Sequence, residues 1–127
     1  MKSLERESYA SLRTYRRDGS PVDTPVWFAL RDRRCYLFSA GDAGKVKRLR
    51  REPRAAVAAC DLRGRLRGPW IEGRGRILES DADIERAYDA LHAKYGWLMR
   101  LTDALSRLTG RYAHRALIEV ELAPTER

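Results

Sequence analysis

Apolar and polar positions alternate along most of this chain, and where the alternation lapses a glycine, a proline or a helical repeat takes over. Residues 9–15 set Ala10, Leu12 and Thr14 on one face and Tyr9, Ser11, Arg13 and Tyr15 on the other, which predicts a first strand. Arg16-Arg17-Asp18-Gly19-Ser20-Pro21 follows as a hairpin turn, with Asp-Gly suited to positive φ. Residues 22–30 predict a second strand, with Val22, Thr24, Val26, Phe28 and Leu30 on one face and Asp23, Pro25, Trp27 and Ala29 on the other. Pro25 offers a ladder no N–H. That stretch therefore belongs at an edge, at a bulge, or where the backbone faces something other than a strand, a flat ligand among the choices.

A second hairpin at Arg31-Asp32-Arg33 leads into a third strand over residues 34–40. The short helix that follows has only Val46 and Leu49 as its apolar stripe, and Pro53 stops it. Residues 54–61 form a strand of small side chains that permits close approach by another layer, another subunit or a ring. A basic loop over 62–69 carries Arg63, Arg65 and Arg67. Strand character resumes over 70–79, where Gly73 and Gly75 mark a bulge or a barrel bend. They are no dinucleotide fingerprint, since Leu78 occupies the third glycine position and no helix opens there. Ser80 then caps a helix with Asp81, Asp83 and Glu85 near its positive end and Ile84, Ala87, Tyr88, Leu91 and Tyr95 at helical spacing. Beyond Gly96 a second helical pattern runs through Trp97, Leu98, Leu101, Leu105 and Leu108 to Gly110, and residues 114–122 close the chain as a strand. The N-terminal segment before Tyr9 has helical character. Six strands in hairpin succession, with a helix after the third and a helical insert before the last, predict a mainly β (α+β) antiparallel barrel with covering helices.

At 127 residues the chain makes one domain, 1–127, with a core that needs no disulfide or metal. No apolar run approaches the roughly 20 residues that cross a bilayer, and the first residues carry no apolar signal region, so a soluble cytoplasmic protein is expected. Cys35 and Cys60 lie in separate strands as small buried thiols, and His92 and His114 are isolated, which leaves no metal site.

The net charge of +8 brings phosphate and nucleic-acid partners into view. Arg outnumbers Lys 22 to 4, so part of the charge is compositional, yet two of those four lysines stand at 45 and 47. Gly41 and Gly44 free the loop before the short helix, the helix start adds unpaired amides, and Lys45 adds an ammonium, which together make an anion seat. On charge alone the same helix is equally a solvated basic face. It is not a nucleoside-triphosphate loop, because Ser39 stands where the first glycine belongs and Val46 replaces the metal-binding hydroxyl. Nor do aromatics interleave with the cations of 45–51 as a single-strand reader requires, so no nucleic-acid partner is expected.

The run L-R-T-Y-R-R-D-G-S-P-V-D-T-P-V-W-F, followed by Y-L-F-S, G-K-V-K-R-L-R-R-E-P-R-A and C-D-L-R-G, resembles the split-barrel family related to pyridoxamine 5'-phosphate oxidase, and within it the branch using the deazaflavin coenzyme F420. The resemblance implies a six-stranded split β-barrel of the FMN/F420-binding type, a homodimer, and a cofactor groove built by both subunits. It implies that Thr24, Pro25, Val26 and Trp27 line the deazaflavin ring, that Ser39 and Ala40 sit beside it, and that Lys45 with Lys47 or Arg48 takes the phosphate. The polyanionic tail of F420 would call on the cluster from Lys45 to Arg51, with Arg54 or Arg63 to Arg67 as additions. The implied activity is an F420H2-dependent reductase acting on an electron-poor small molecule, with no residue required as a covalent catalyst. An FMN-dependent oxidoreductase or a non-catalytic F420 carrier are the alternatives. Some relatives have an Arg where this chain has Ala43, and the long C-terminal substrate segment of true pyridoxamine phosphate oxidases is absent.

Overall fold

The computed structural model describes residues 8–40, 44–96 and 115–123. Strands β1 (Tyr9–Tyr15), β2 (Pro21–Trp27), β3 (Ala29–Arg31) and β4 (Arg34–Ala40) precede helix α1 (Gly44–Arg51). They are followed by β5 (Arg54–Cys60), β6 (Ile71–Ile77), helix α2 (Asp81–Tyr95) and β7 (Arg115–Leu122). The strands form one antiparallel sheet in the order β2-β1-β5-β6-β7-β4-β3.

Seven strands stand where alternation predicts six, because the second is interrupted at Phe28. The interruption closes the fold. β2 and β3 are the opposite edges of the sheet, yet only Phe28 separates them in the chain. A sheet whose two edges are one residue apart must curl until they meet, which makes a split barrel. Alternation could not reveal the break, since Phe28 keeps its inward place and is fully buried.

The register Ala29↔Tyr36, Leu30↔Cys35 pairs β3 with β4. Carried back past Phe28, that register sets Trp27 level with Phe38 and Pro25 level with Ala40. No ladder forms there among the described residues, although β2 runs close to β4. This seam is the split, and Pro25 lies on a true sheet edge, where its missing N–H costs nothing.

Inside the barrel Leu12, Leu37, Val57, Ile118 and Val120 pack together, and α1 closes one end by inserting Val46 and Leu49. Outside, α2 lays Ala87, Ala90 and Leu91 over Ala29, Tyr36 and Leu117. Ser80 caps α2 by accepting from the Asp83 amide at 3.2 Å, and the Gly96 amide closes its end on the His92 carbonyl at 2.8 Å. The predicted helical pattern at 97–108, its stop at Gly110, the N-terminal segment, Gly41 and His114 lie outside the described residues.

Three local expectations are refined. In the first hairpin only Gly19 adopts positive φ (88°), while Asp18 accepts from the Ser20 amide and holds the turn by its side chain. Gly73 and Gly75 mark no bulge, since the pairing of β6 with β7 runs unbroken through both. They mark close approach instead: a Cβ on Gly73 would meet the Glu121 carbonyl oxygen at 2.6 Å, and one on Gly75 would meet Leu49 at 2.9 Å. The small residues of β5 are buried on both faces, with Ala55, Val57 and Ala59 in the core and Ala56, Ala58 and Cys60 on the outer side. The chain's own 61–70 loop folds back toward that outer side. The Arg13 guanidinium, one strand over, stacks on Trp70 at 4.0 Å, and a Cβ on Gly64 would touch Pro25 at 3.9 Å. No helix among the described residues is long and apolar enough to cross a membrane.

Candidate anion and cofactor site

Burial of Val46 and Leu49 fixes how α1 turns its cations. Lys47 and Arg50 face outward and are exposed, whereas Lys45 and Arg48 lie at the half-buried border between helix and barrel. Arg48 is held there by donating from Nε to the Thr14 hydroxyl at 2.6 Å, and Thr14 is buried at the end of β1. One turn later Arg51 donates to the Tyr15 carbonyl at 2.6 Å. Both contacts tie the helix to the strand that leads into the Arg16–Ser20 turn.

That turn adds the residues that reading the sequence missed. Arg16, Arg17 and Asp18 join Arg48 and Arg51 in lining a cleft of about 420 Å³. A neighbouring one of about 230 Å³ continues past Tyr15 and Arg51 to Glu52 and Arg54. The only sequence signal was the Arg-Arg pair before Asp-Gly, which local patterning assigns to an ordinary turn.

None of Lys45, Arg16, Arg17, Arg48 and Arg51 is ion-paired to a carboxylate among the described residues. Asp18 enters the cleft but is engaged with Ser20, whose hydroxyl lies 2.7 Å away. Burial, and next the charge of Arg48, lower the pKa of Lys45. Burial also lowers that of Arg48, helped by Arg16 and Arg51. Cations crowded in this way, without countercharge, favour an incoming anion. The residues present therefore fit a phosphate- or carboxylate-bearing cofactor.

Away from α1 the picture changes along β2. Thr14 pairs with Val22, so Arg48 anchors at that level. At a strand rise of about 3.3 Å per residue, Trp27 stands about 17 Å further on. Thr24 and Val26 turn toward the barrel interior, and Val26 is part of its core. Pro25 and Trp27 turn outward, and the indole of Trp27 stacks on Tyr95 of α2 with ring centroids 4.8 Å apart. Four consecutive strand residues cannot all present side chains to one ring; what they share is the backbone edge along the split. Ser39 is buried near the end of β4 and pairs with Ala116, and Ala40 pairs with Arg115 across from that edge.

The structure thus brings Lys45 and Arg48 together at one end of the seam. Thr24, Pro25, Ser39 and Ala40 lie along the seam and Trp27 toward its far end, while Lys47 stands apart on the solvent face. Arg54 stacks on Tyr15 at 4.4 Å and lies 3.9 Å from Glu72, at the rim. The 63–67 loop follows the opposite end of β5 from α1 and does not join the cluster. Cys35 and Cys60 are buried and form no disulfide, and burial pushes the Cys35 thiol up to about 12. The described residues include no group of three or more metal-ligating side chains.

The family model of pyridoxamine 5'-phosphate oxidase matches residues 1–123. No curated protein matches the chain closely enough to register as a relative. Among solved structures, the heme storage protein HutZ of Vibrio cholerae superposes with a TM-score of 0.71 at 13% identity, covering 98% of this chain and 88% of that one. A FAD-binding protein of Mesorhizobium loti gives 0.68 at 22% identity, covering 97% and 84%. An F420 reductase gives 0.56 at 20% identity, covering 95% and 90%. At such identities these likenesses speak for the fold alone.

Proposed function

The chain belongs to the pyridoxamine 5'-phosphate oxidase family, and from that premise we propose that it is an F420H2-dependent oxidoreductase acting on an electron-poor small molecule. Lys45 and Arg48 take the cofactor phosphate, with Lys47 at the outer rim. The backbone of Thr24, Pro25, Val26 and Trp27, with Ser39 and Ala40 across the split, borders the ring. Arg16, Arg17 and Arg51 extend the positive surface along the polyanionic tail. When bound, the reduced deazaflavin supplies a hydride; the protein's own part is to hold the ring at the seam and keep water from it. A second copy of the chain completes the groove, which makes the working unit a homodimer in the cytoplasm.

The observation that carries this reading is the group of Arg16, Arg17, Arg48 and Arg51 around one cleft, with Lys45 beside it and no carboxylate paired to any of them among the described residues. A phosphate followed by several carboxylates calls on more positive charge than a single phosphate does. The F420 reductase and the FAD-binding protein among the structural neighbours agree with a ring-and-phosphate ligand on this fold. Titration of the purified protein with F420, followed by deazaflavin fluorescence, is the test. Saturable binding at or below tens of micromolar is expected. Binding of FMN in its place would make the protein a flavin-dependent oxidoreductase, and F420 binding with no acceptor reduced would make it a carrier.

A further inference from the structure

The cleft of about 420 Å³ between the first hairpin and α1 and its neighbour of about 230 Å³ share Arg16, Arg17 and Arg51, so they are two lengths of one trench. Both walls come from the same chain. The bonds from Arg48 to Thr14 and from Arg51 to Tyr15, each 2.6 Å, tie one wall to the other.

The two lengths differ in charge. In the first, Arg16, Arg17, Arg48 and Arg51 meet one carboxylate, that of Asp18, which already accepts from the Ser20 amide at 3.0 Å and lies 2.7 Å from the Ser20 hydroxyl. In the second, Glu52 enters as a further carboxylate. Arg54, the cation that comes with it, is stacked on Tyr15 at 4.4 Å and has Glu72 3.9 Å away. The Glu52 carboxylate is held in place, because it accepts from the Arg54 amide at 3.2 Å while the Glu52 amide donates to the Arg48 carbonyl at 2.8 Å. Helix α1 also stops here, at Arg51, and its last carbonyls add the negative end of the helix dipole. Positive potential therefore falls along the trench, from Lys45 at the helix start to Glu52 beyond its end.

We infer that Glu52 sets the length of anionic tail that this site rewards. The inference rests on the reading of the trench as the seat of the F420 tail. The first carboxylates beyond the phosphate meet Arg16, Arg17 and Arg51, and each adds affinity. From Arg48 to Glu52 the helix advances only about 6 Å, so the limit comes within the first few glutamates. A longer tail meets the carboxylate and gains nothing more.

The test is fluorescence titration of the full chain with F420 trimmed of its glutamates, with F420 bearing a single glutamate and with long-tailed F420. Affinity should rise about two- to fivefold with the first glutamate, the worth of an exposed ion pair, and level off for the long tail. Glu52→Gln should bind the trimmed cofactor as wild type does and the long-tailed one about two- to fivefold more tightly. It keeps an acceptor for the Arg54 amide, so the end of α1 is preserved. Arg17→Gln, at an exposed turn position, should abolish the gain from the first glutamate. Equal affinity for all three forms, or a Glu52→Gln effect of the same size on each, overturns the inference and leaves the F420 reading standing. Failure of every form to bind overturns that reading, and the inference with it.

Discussion

The phenolic oxygen of Tyr95 lies 2.8 Å from both the amide nitrogen and the carbonyl oxygen of Phe28. Phe28 is the residue at which the chain passes from one sheet edge to the other, so neither group has a place in a ladder. The hydroxyl accepts from the amide, and its one proton goes to the Phe28 carbonyl or to the Ser8 carbonyl, also at 2.8 Å. Tyr95→Phe keeps the stack on Trp27 and removes the staple. Leaving these part-buried groups unmet should cost about 1–3 kcal/mol, read as a lower urea midpoint with an unchanged slope. A midpoint equal to wild type would mean that water serves the seam as well.

Gly73 and Gly75 should differ in what an added methyl does. At Gly73 it meets backbone, the Glu121 carbonyl oxygen, so β6 and β7 must part. At Gly75 it meets the Leu49 side chain, which yields by pushing α1 outward. Gly73→Ala should therefore lose more stability, about 1–3 kcal/mol. Gly75→Ala should lose less stability but weaken cofactor binding, because Lys45 and Arg48 ride on α1. Thermal melts set beside cofactor titrations separate the two.

Arg48 is aimed by Thr14, and the aim can be tested apart from the charge. Arg48→Ala should weaken cofactor binding about 10- to 100-fold, the worth of a charge-assisted hydrogen bond. Thr14→Val keeps the shape and the guanidinium but removes the acceptor of the 2.6 Å bond. A several-fold loss of affinity is expected. If Thr14→Val binds as tightly as wild type, the bond holds Arg48 to the fold without orienting it toward a ligand.

Lys45 confers a pH dependence with opposite signs for folding and binding. Its folded pKa is lowered by burial and by Arg48. Below that value it is charged both folded and unfolded, and the folded chain bears the cost of the crowded cation. As pH rises past it the folded chain releases its proton first, so this contribution to stability rises with pH up to the unfolded value. Anion binding needs the proton and should weaken over the same window. Lys45→Arg should keep its affinity to higher pH. Dissociation constants for the cofactor between neutral and alkaline pH, for wild type and variant, check this.

Local order was legible because it repeats at short range. The pattern and its flanking turns placed β1 and β4 to the residue, at Tyr9–Tyr15 and Arg34–Ala40, although both strands are covered on their outer face as well as on the barrel side. Ser80 and Gly96 marked the ends of α2, and Pro53 the end of α1, because capping and breaking are properties of a few adjacent residues. Lys45 was identifiable as the first cation after Gly44 at a helix start.

What tertiary structure alone decided is everything that depends on curvature. No periodicity distinguishes Phe28 from its neighbours on the inward face; it becomes a corner only because β2 and β3 border opposite edges of one curled sheet. Arg16 and Arg17 read as turn residues until β1 ends beside α1, roughly thirty positions later in the chain. Trp27 is an outward-facing aromatic of β2 by alternation, and only the packing of α2 gives it Tyr95 to stack against. In each case the partner is remote in sequence. Side-chain periodicity records which way a residue faces, whereas closure of the barrel determines what it faces.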